Sequence, residues 1–327
     1  TLSSSSAASD VYKRQVQSIG LLLLTSTRLV EIPESTYPII GTVIGSFIFG
    51  LGIIMAGGCA TGTWYRAGEG LIGSWMALIA YAFTSAATKF GLLLPLMNGL
   101  NKPTNVNTSM SQTTGIPTWV FVIVLIVITL FFVVKTLRKP KPKFAVPKLK
   151  QKFTGIRHYL FEKKYHPFVA AIAVGLIALL AWPVSESTGR MYGLGITTPS
   201  ANLVQFFVTG DLKLLDWGVF LVLGIFFGSY IAAKGAKEFK WRLPDKKTIR
   251  NSIIGGVLMG FGASVAGGCS IGNGLVETAT MSWKGWIALA SMILGAWTMS
   301  YFVFIRPMKK AQSQTSNTKV SSQTQTS

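Results

Sequence analysis

Apolar stretches recur along the chain at about 16–29, 38–56, 71–96, 117–134, 167–184, 214–233, 251–267 and 285–305. Most approach the ~20 residues that cross a hydrocarbon core as a helix. None alternates apolar and polar positions strictly, as a barrel strand would, so the pattern predicts an all-α polytopic membrane protein. Polar separators divide it. Residues 98–116 are polar and almost uncharged, 138–165 are rich in Lys and Pro, and the tail at 309–327 is Ser/Thr/Gln-rich, which predicts disorder. The first fifteen residues, TLSSSSAASDVYKRQ, are Ser-rich, lack an initiator Met and carry no signal-peptide apolar run. They read as a non-native leader, with the expectation that a natural N-terminal segment is missing. The resulting division is leader 1–15, first membrane half 16–137, basic connector 138–165, second membrane half 166–308 and tail 309–327.

Composition agrees: half of the residues are hydrophobic and only 13% are charged, where a soluble domain carries about a quarter. The net charge of +20 invites a nucleic-acid reading, but its placement excludes one. Residues 135–164 hold eleven Lys or Arg against Glu162 alone, and 234–250 hold seven against Glu238 and Asp245. Both blocks abut apolar segments, as cytoplasmic loops do. With 138–165 inside, alternation along the chain puts 57–70, 234–250 and the tail inside, and 98–116 and 185–213 outside. The approach to Cys59 is then cytoplasmic and the approach to Cys269 external.

Those are the only two cysteines, and their surroundings are copies of each other. In IIGTVIGSFIFGLGIIMAGGCATG and IIGGVLMGFGASVAGGCSIG, Gly45, Gly50, Gly52, Ala56, Gly57, Gly58, Cys59 and Gly62 match Gly255, Gly260, Gly262, Ala266, Gly267, Gly268, Cys269 and Gly272. Downstream, WMAL at 75–78 answers WIAL at 286–289 after a one-residue slip. Two copies approached from opposite faces make an inverted repeat, whose substrate site belongs at the repeat interface near the midplane. The fold expected is an inverted-repeat helical bundle with broken or re-entrant helices at the two Gly-Gly-Cys motifs. The two sulfurs are expected within about 15 Å of each other in a core ~30 Å thick, without a disulfide.

Glycines let a backbone turn sharply and let a ligand approach it. A helix restarting after each pair would present free N–H groups to an anion. A lone buried Cys is ordinarily a small hydrophobe, but two in one repeated frame point to chemistry. A thiol in apolar surroundings stays neutral. It can donate weakly to an anion without repelling it, and it is soft enough to suit sulfur. Two cysteines 210 positions apart form neither a CxxC pair nor a zinc set. His158 and His166 sit near the basic connector, so no metal site is read, and the glycine stretches lack a P-loop ending, so no cofactor is read.

The segments GGCATGTWYRAGEGLIGSW and GGCSIGNGL resemble the YeeE/YedE family of bacterial sulfur-compound transporters. The resemblance covers roughly residues 16–305. It implies a helical, multi-pass protein of the bacterial inner membrane that takes up thiosulfate, passed along neutral thiols by S–H···S contacts without a covalent bond. Cys59 and Cys269 fall at the matching positions, flanked by Gly57, Gly58, Gly62, Gly267, Gly268 and Gly272. The family usually has a further cysteine-bearing segment in front, and nothing here matches it.

Arg66 and Glu69 stand at i,i+3, near enough to pair or to orient the first cysteine loop. Thr61 and Asn273 are candidate donors to an anion. Trp64, Trp75, Trp283 and Trp286 read as membrane-interface anchors. The partners expected are a small sulfur anion, the bilayer and, through the basic connector, a cytoplasmic sulfurtransferase. Two other readings stay open: a membrane thiol enzyme that moves sulfane sulfur or electrons, and a subunit that only recruits such a sulfurtransferase. No Asp or Glu in an apolar segment marks a proton relay.

Overall fold

The computed structural model describes residues 2–27, 29–30, 36–102, 108–137, 167–190 and 192–308. The basic connector 138–165 and the tail 309–327 lie outside them, as do His158 and His166. Among the described residues there is helix and no β-strand. In chain order the helices are α1 Leu2–Ser26, α2 Ile39–Ala56, α3 Ala60–Gly68, α4 Ile72–Phe90, α5 Leu94–Leu100, α6 Met110–Thr114 and α7 Thr118–Leu137. The second half gives α8 Pro167–Ser187, α9 Thr197–Thr209, α10 Trp217–Gly235, α11 Lys246–Val265 and α12 Trp283–Ser300.

Four runs, Ile39–Gly68, Val169–Ser187, Trp217–Gly235 and Trp283–Met308, are long and apolar enough to cross a bilayer. A fifth is the pair α4–α5, bent by 72°. The chain is therefore a multi-pass membrane protein. That bend falls inside the apolar stretch 71–96. At Gly91 the backbone leaves the helical region (φ −127, ψ −145), and Pro95 near the start of α5 lacks the N–H needed to continue the α4 ladder.

The centre is a four-helix core of α2, α4, α11 and α12, and glycine contacts expose its symmetry. A Cβ on Gly45 would lie 2.6 Å from the Ala266 nitrogen and 2.7 Å from the Gly262 oxygen. A Cβ on Gly255 would meet the Ala56 nitrogen and, at 2.8 Å, the Gly52 oxygen. Exchanging each residue for its repeat mate turns one set of contacts into the other. The outer pairs behave alike: Gly50 abuts Met292 and Ala296 on α12, and Gly260 abuts Tyr81 and Ser85 on α4. Positions along α2 rise as their partners on α11 fall, so the two helices are antiparallel. A twofold that makes membrane-crossing helices antiparallel runs perpendicular to them, in the membrane plane. The bundle is an inverted repeat.

The loops sort onto two faces. Leu71, ahead of α4, bridges Arg242, so the α3–α4 junction and 234–250 share one face. Ser282, ahead of α12, bridges Ser109. The Lys89 ammonium, at the end of α4, donates to Thr198 at 2.6 Å, which brings 185–213 to the face of the α4 C-terminus.

Candidate functional site: two Gly-Gly-Cys turns on one core

Both motifs are built by the same backbone device. Gly57 ends α2 at φ +75, and Gly267 follows α11 at φ +71, in the left-handed region that a side chain disfavours. The next amide reaches back five residues, Gly58 N–H to the Ile53 oxygen at 3.0 Å and Gly268 N–H to the Ala263 oxygen at 2.9 Å. These are Schellman closures of the two helix ends. Each cysteine then opens a new turn: the Cys59 carbonyl accepts from Thr63 N–H, and the Cys269 carbonyl from Asn273 N–H, both at 2.9 Å.

After the cysteines the copies diverge. The first motif continues as α3, within a run that is long enough to be a single span. The second forms a π-helical turn, Gly272–Glu277. Side chains from these segments brace the preceding turns. Arg66 donates to the Gly57 carbonyl and, through Nε, to the Tyr65 hydroxyl at 3.2 Å. Asn273, fully buried, donates its amide to the Ala266 and Gly268 carbonyls at 3.1 and 3.0 Å. Two readings are thereby narrowed. Of the two roles read for Arg66, it braces the first cysteine loop through a helix-end carbonyl and makes no pair with Glu69, the C-cap of α3. Asn273 commits its donors to its own loop and has none for a solute. Thr61 differs, because its buried hydroxyl has no hydrogen-bond partner. Trp64 is a correction: its ring is buried against Phe226, and its N–H donates to Ser200 at 3.0 Å, away from the lipid interface.

Cys59 is half-buried and Cys269 buried, and both are free thiols. Cys269 belongs to the central apolar cluster with Ala60, Trp64, Tyr81 and Met259. Thr197, whose hydroxyl accepts from Tyr81 at 2.9 Å, lines the same cavity as Cys269. The turn at Cys59 meets the same cluster through its neighbour Ala60. The glycines after the cysteines are not there for protein packing: a Cβ on Gly62 would sit 3.7 Å from Cys59 Sγ, and one on Gly272 3.4 Å from the Tyr192 hydroxyl. Their bareness leaves space beside Cys59 Sγ and in front of the Tyr192 hydroxyl.

A cavity of about 140 Å³ opens onto Cys269, lined by Arg190, Tyr192, Thr197, Thr198, Gly268 and Gly272 among others. Its charged surroundings were not singled out from the sequence. Arg190 pairs with Asp216 at 3.6 Å, Lys284 with Glu277 at 3.3 Å, and Tyr192 donates to Glu277 at 3.1 Å. Lys89 offered a signal, as the one cation within the apolar segment 71–96. Arg190, Lys284 and Glu277 fall between segments and offered none.

The model of the family described as "Sulphur transport" matches residues 14–298. The chain belongs to that family. It is 57% identical over 301 residues to the thiosulfate transporter TsuA of Escherichia coli K12, covering 91% of this chain and 84% of that one. The TsuA of Spirochaeta thermophila is 32% identical over 310 residues, covering 90% and 87%. The probable transporter YedE of Escherichia coli K12 is 25% identical over 166 residues, 46% of this chain and 40% of its own. This sulphur-transport family chain is a transporter, and the family resemblance read from the two motifs holds.

Proposed function

We propose that this protein is an inner-membrane permease that takes up thiosulfate, handing it from Cys269 to Cys59 through neutral thiol contacts at a central constriction. The observation that carries the reading is the convergence of two symmetry-related Gly-Gly-Cys turns on one core, with an open cavity at one sulfur. Its similarity along nearly the whole chain to two thiosulfate transporters supports the choice of anion. A thiol binds a soft terminal sulfur by weak donation, so the solute is held firmly enough to enter and loosely enough to leave. No bond forms or breaks. Bare backbone at Gly62 and Gly272 supports passage of the anion beside each thiol, and the unpartnered Thr61 hydroxyl is a donor for it near Cys59. The basic connector supports delivery to a cytoplasmic sulfurtransferase.

Uptake of labelled thiosulfate into cells or proteoliposomes tests this. Cys59→Ala and Cys269→Ala should each lower uptake about tenfold or more, the worth of one hydrogen bond to a charged group. Cys59→Ser, which keeps a donor but loses the soft sulfur, should be impaired as well. Wild-type uptake in all three at equal membrane abundance would return the cysteines to a packing role. Thiol alkylation well below pH 8 would instead favour a thiolate enzyme.

A further inference from the structure

Two adjacent rings on α3 are held in opposite ways. Trp64 is buried, and its N–H is tied to Ser200 on α9. Tyr65, one residue on, is 37% exposed. Its hydroxyl accepts from Arg66 Nε at 3.2 Å, a bond within the same helix. The Arg66 guanidinium stands 5.7 Å from the centre of that ring, close enough for a weak cation–π attraction. Trp64 is therefore a fixed wall, whereas Tyr65 is fastened by its neighbour alone.

The fastened ring borders Cys59. Cys59, Gly62 and Tyr65 recur every three residues and share one side of α3. The place of a Cβ on Gly62 lies 3.7 Å from Cys59 Sγ and 3.9 Å from Tyr65 Cε1. Ring and sulfur thus edge the same gap, and position 62 puts no side chain into it. Ahead of the cysteine, the guanidinium covers the turn: it donates to the Gly57 carbonyl, and a Cβ on Gly58 would be 3.0 Å from Nη1. Cys59 is half-buried and Gly57 is exposed, so the sulfur lies close to the surface here. From Cys59, α3 leads to the junction that shares a face with the basic segment 234–250, the cytoplasmic face by the positive-inside rule.

We infer that the Tyr65 ring is the inner gate of the pathway and that Arg66 is its latch. Closed, one guanidinium holds the Tyr65 hydroxyl and the Gly57 carbonyl together, which draws ring and turn toward each other across Cys59. When the bond from Nε breaks, the ring changes rotamer at a surface where water replaces the lost partner, so opening strands no buried polar group. Exposed side chains hop between rotamers within nanoseconds, and the latch sets how much of the time the gap stands open. Tyr65 and Arg66 are positioning residues: they govern access to the thiol and leave its chemistry alone. This rests on the transport function proposed above, in which Cys59 is the last thiol before the cytoplasm.

The test is the rate at which a small, membrane-impermeant methanethiosulfonate modifies Cys59 in the purified full chain in detergent. Mass spectrometry reads it peptide by peptide, with Cys269 as the reference. Tyr65→Phe keeps the ring and every charge but loses the hydroxyl. It should raise the Cys59 rate about fivefold, the equilibrium worth of one hydrogen bond at an exposed site. Tyr65→Ala should raise it further. Arg66→Lys keeps the charge but lacks the planar fork that holds two partners, so it should match Tyr65→Phe. It should add nothing in Tyr65→Ala protein, where the latch has no ring to hold. Unchanged Cys59 reactivity in Tyr65→Phe and Tyr65→Ala overturns the gate. An Arg66→Lys rise of equal size with and without the ring does the same, because Arg66 would then only brace the Gly57 turn. Equal rises at Cys59 and Cys269 would report general loosening and also overturn it. Labelling needs no transport: absence of thiosulfate uptake by the wild-type protein refutes the transport reading, while the Cys59 rates still decide whether Tyr65 shields the sulfur.

Discussion

Gly45 and Gly255 occupy the same position in the two repeats, and alanine at either should wedge the core apart. A Cβ on Gly45 would lie 2.6 Å from the Ala266 nitrogen, where ordinary contact begins at 3.4 Å. Both obstacles, Ala266 N and Gly262 O, are backbone, so no side chain can swing aside, and α2 and α11 must part by about 0.8 Å. Overpacking of this kind costs about 1–3 kcal/mol. Alanine recovers up to ~1 kcal/mol of helix propensity, which leaves a net loss of about 1–2 kcal/mol. Each such kcal/mol is worth ~2–4 °C in Tm. Gly45→Ala and Gly255→Ala should therefore lower the detergent-solubilised Tm by similar amounts, a few degrees each. The double variant should lose less than twice as much, because the first Cβ already parts the pair. Uptake should fall further than stability, since Ala56 and Ala266 lead directly into the cysteine turns. Gly224→Ala and Gly228→Ala are the controls: nothing lies within 4 Å of a Cβ at either. Thermal unfolding by fluorescence, with uptake at matched abundance, measures all of this. A Gly45→Ala protein as stable and active as Gly224→Ala, or unequal effects at Gly45 and Gly255, would refute the symmetric close-packed core.

Asn273→Leu strips the Ala266 and Gly268 carbonyls of their donor, and should destabilise the protein by about 2 kcal/mol and lower uptake with Cys269 intact, read by Tm and transport together. Impermeant labelling of introduced cysteines should find 98–116 and 185–213 on one side and 234–250 on the other; labelling of 98–116 and 234–250 from the same side would contradict the inverted repeat.

The sequence alone carried the class, the repeat and the two cysteine turns, because each is written in local physics. Apolar length reports a bilayer span, and Gly-Gly at a helix end reports a left-handed closure, as at Gly57 and Gly267. The shared spacing of Gly45, Gly52, Gly255 and Gly262 reports a common backbone approach, and the structure supplies the partner of each. It did not report where side chains would spend their hydrogen bonds. Arg66 pairs by spacing with Glu69, yet a helix-end carbonyl with no other donor attracts it more. Asn273 reads as a free donor, yet a buried turn with two unmet carbonyls claims it. Gly91 with Pro95 was visible, but hydropathy alone runs through a bend of 72°. Of the charges at the cavity only Lys89 stood out along the chain, and their grouping did not: Lys89, Arg190, Glu277 and Lys284 come from four separate segments. Only packing α4, the loop between α8 and α9, the π-helical turn and α12 around one opening makes them neighbours, because electrostatics acts through space and not along the chain.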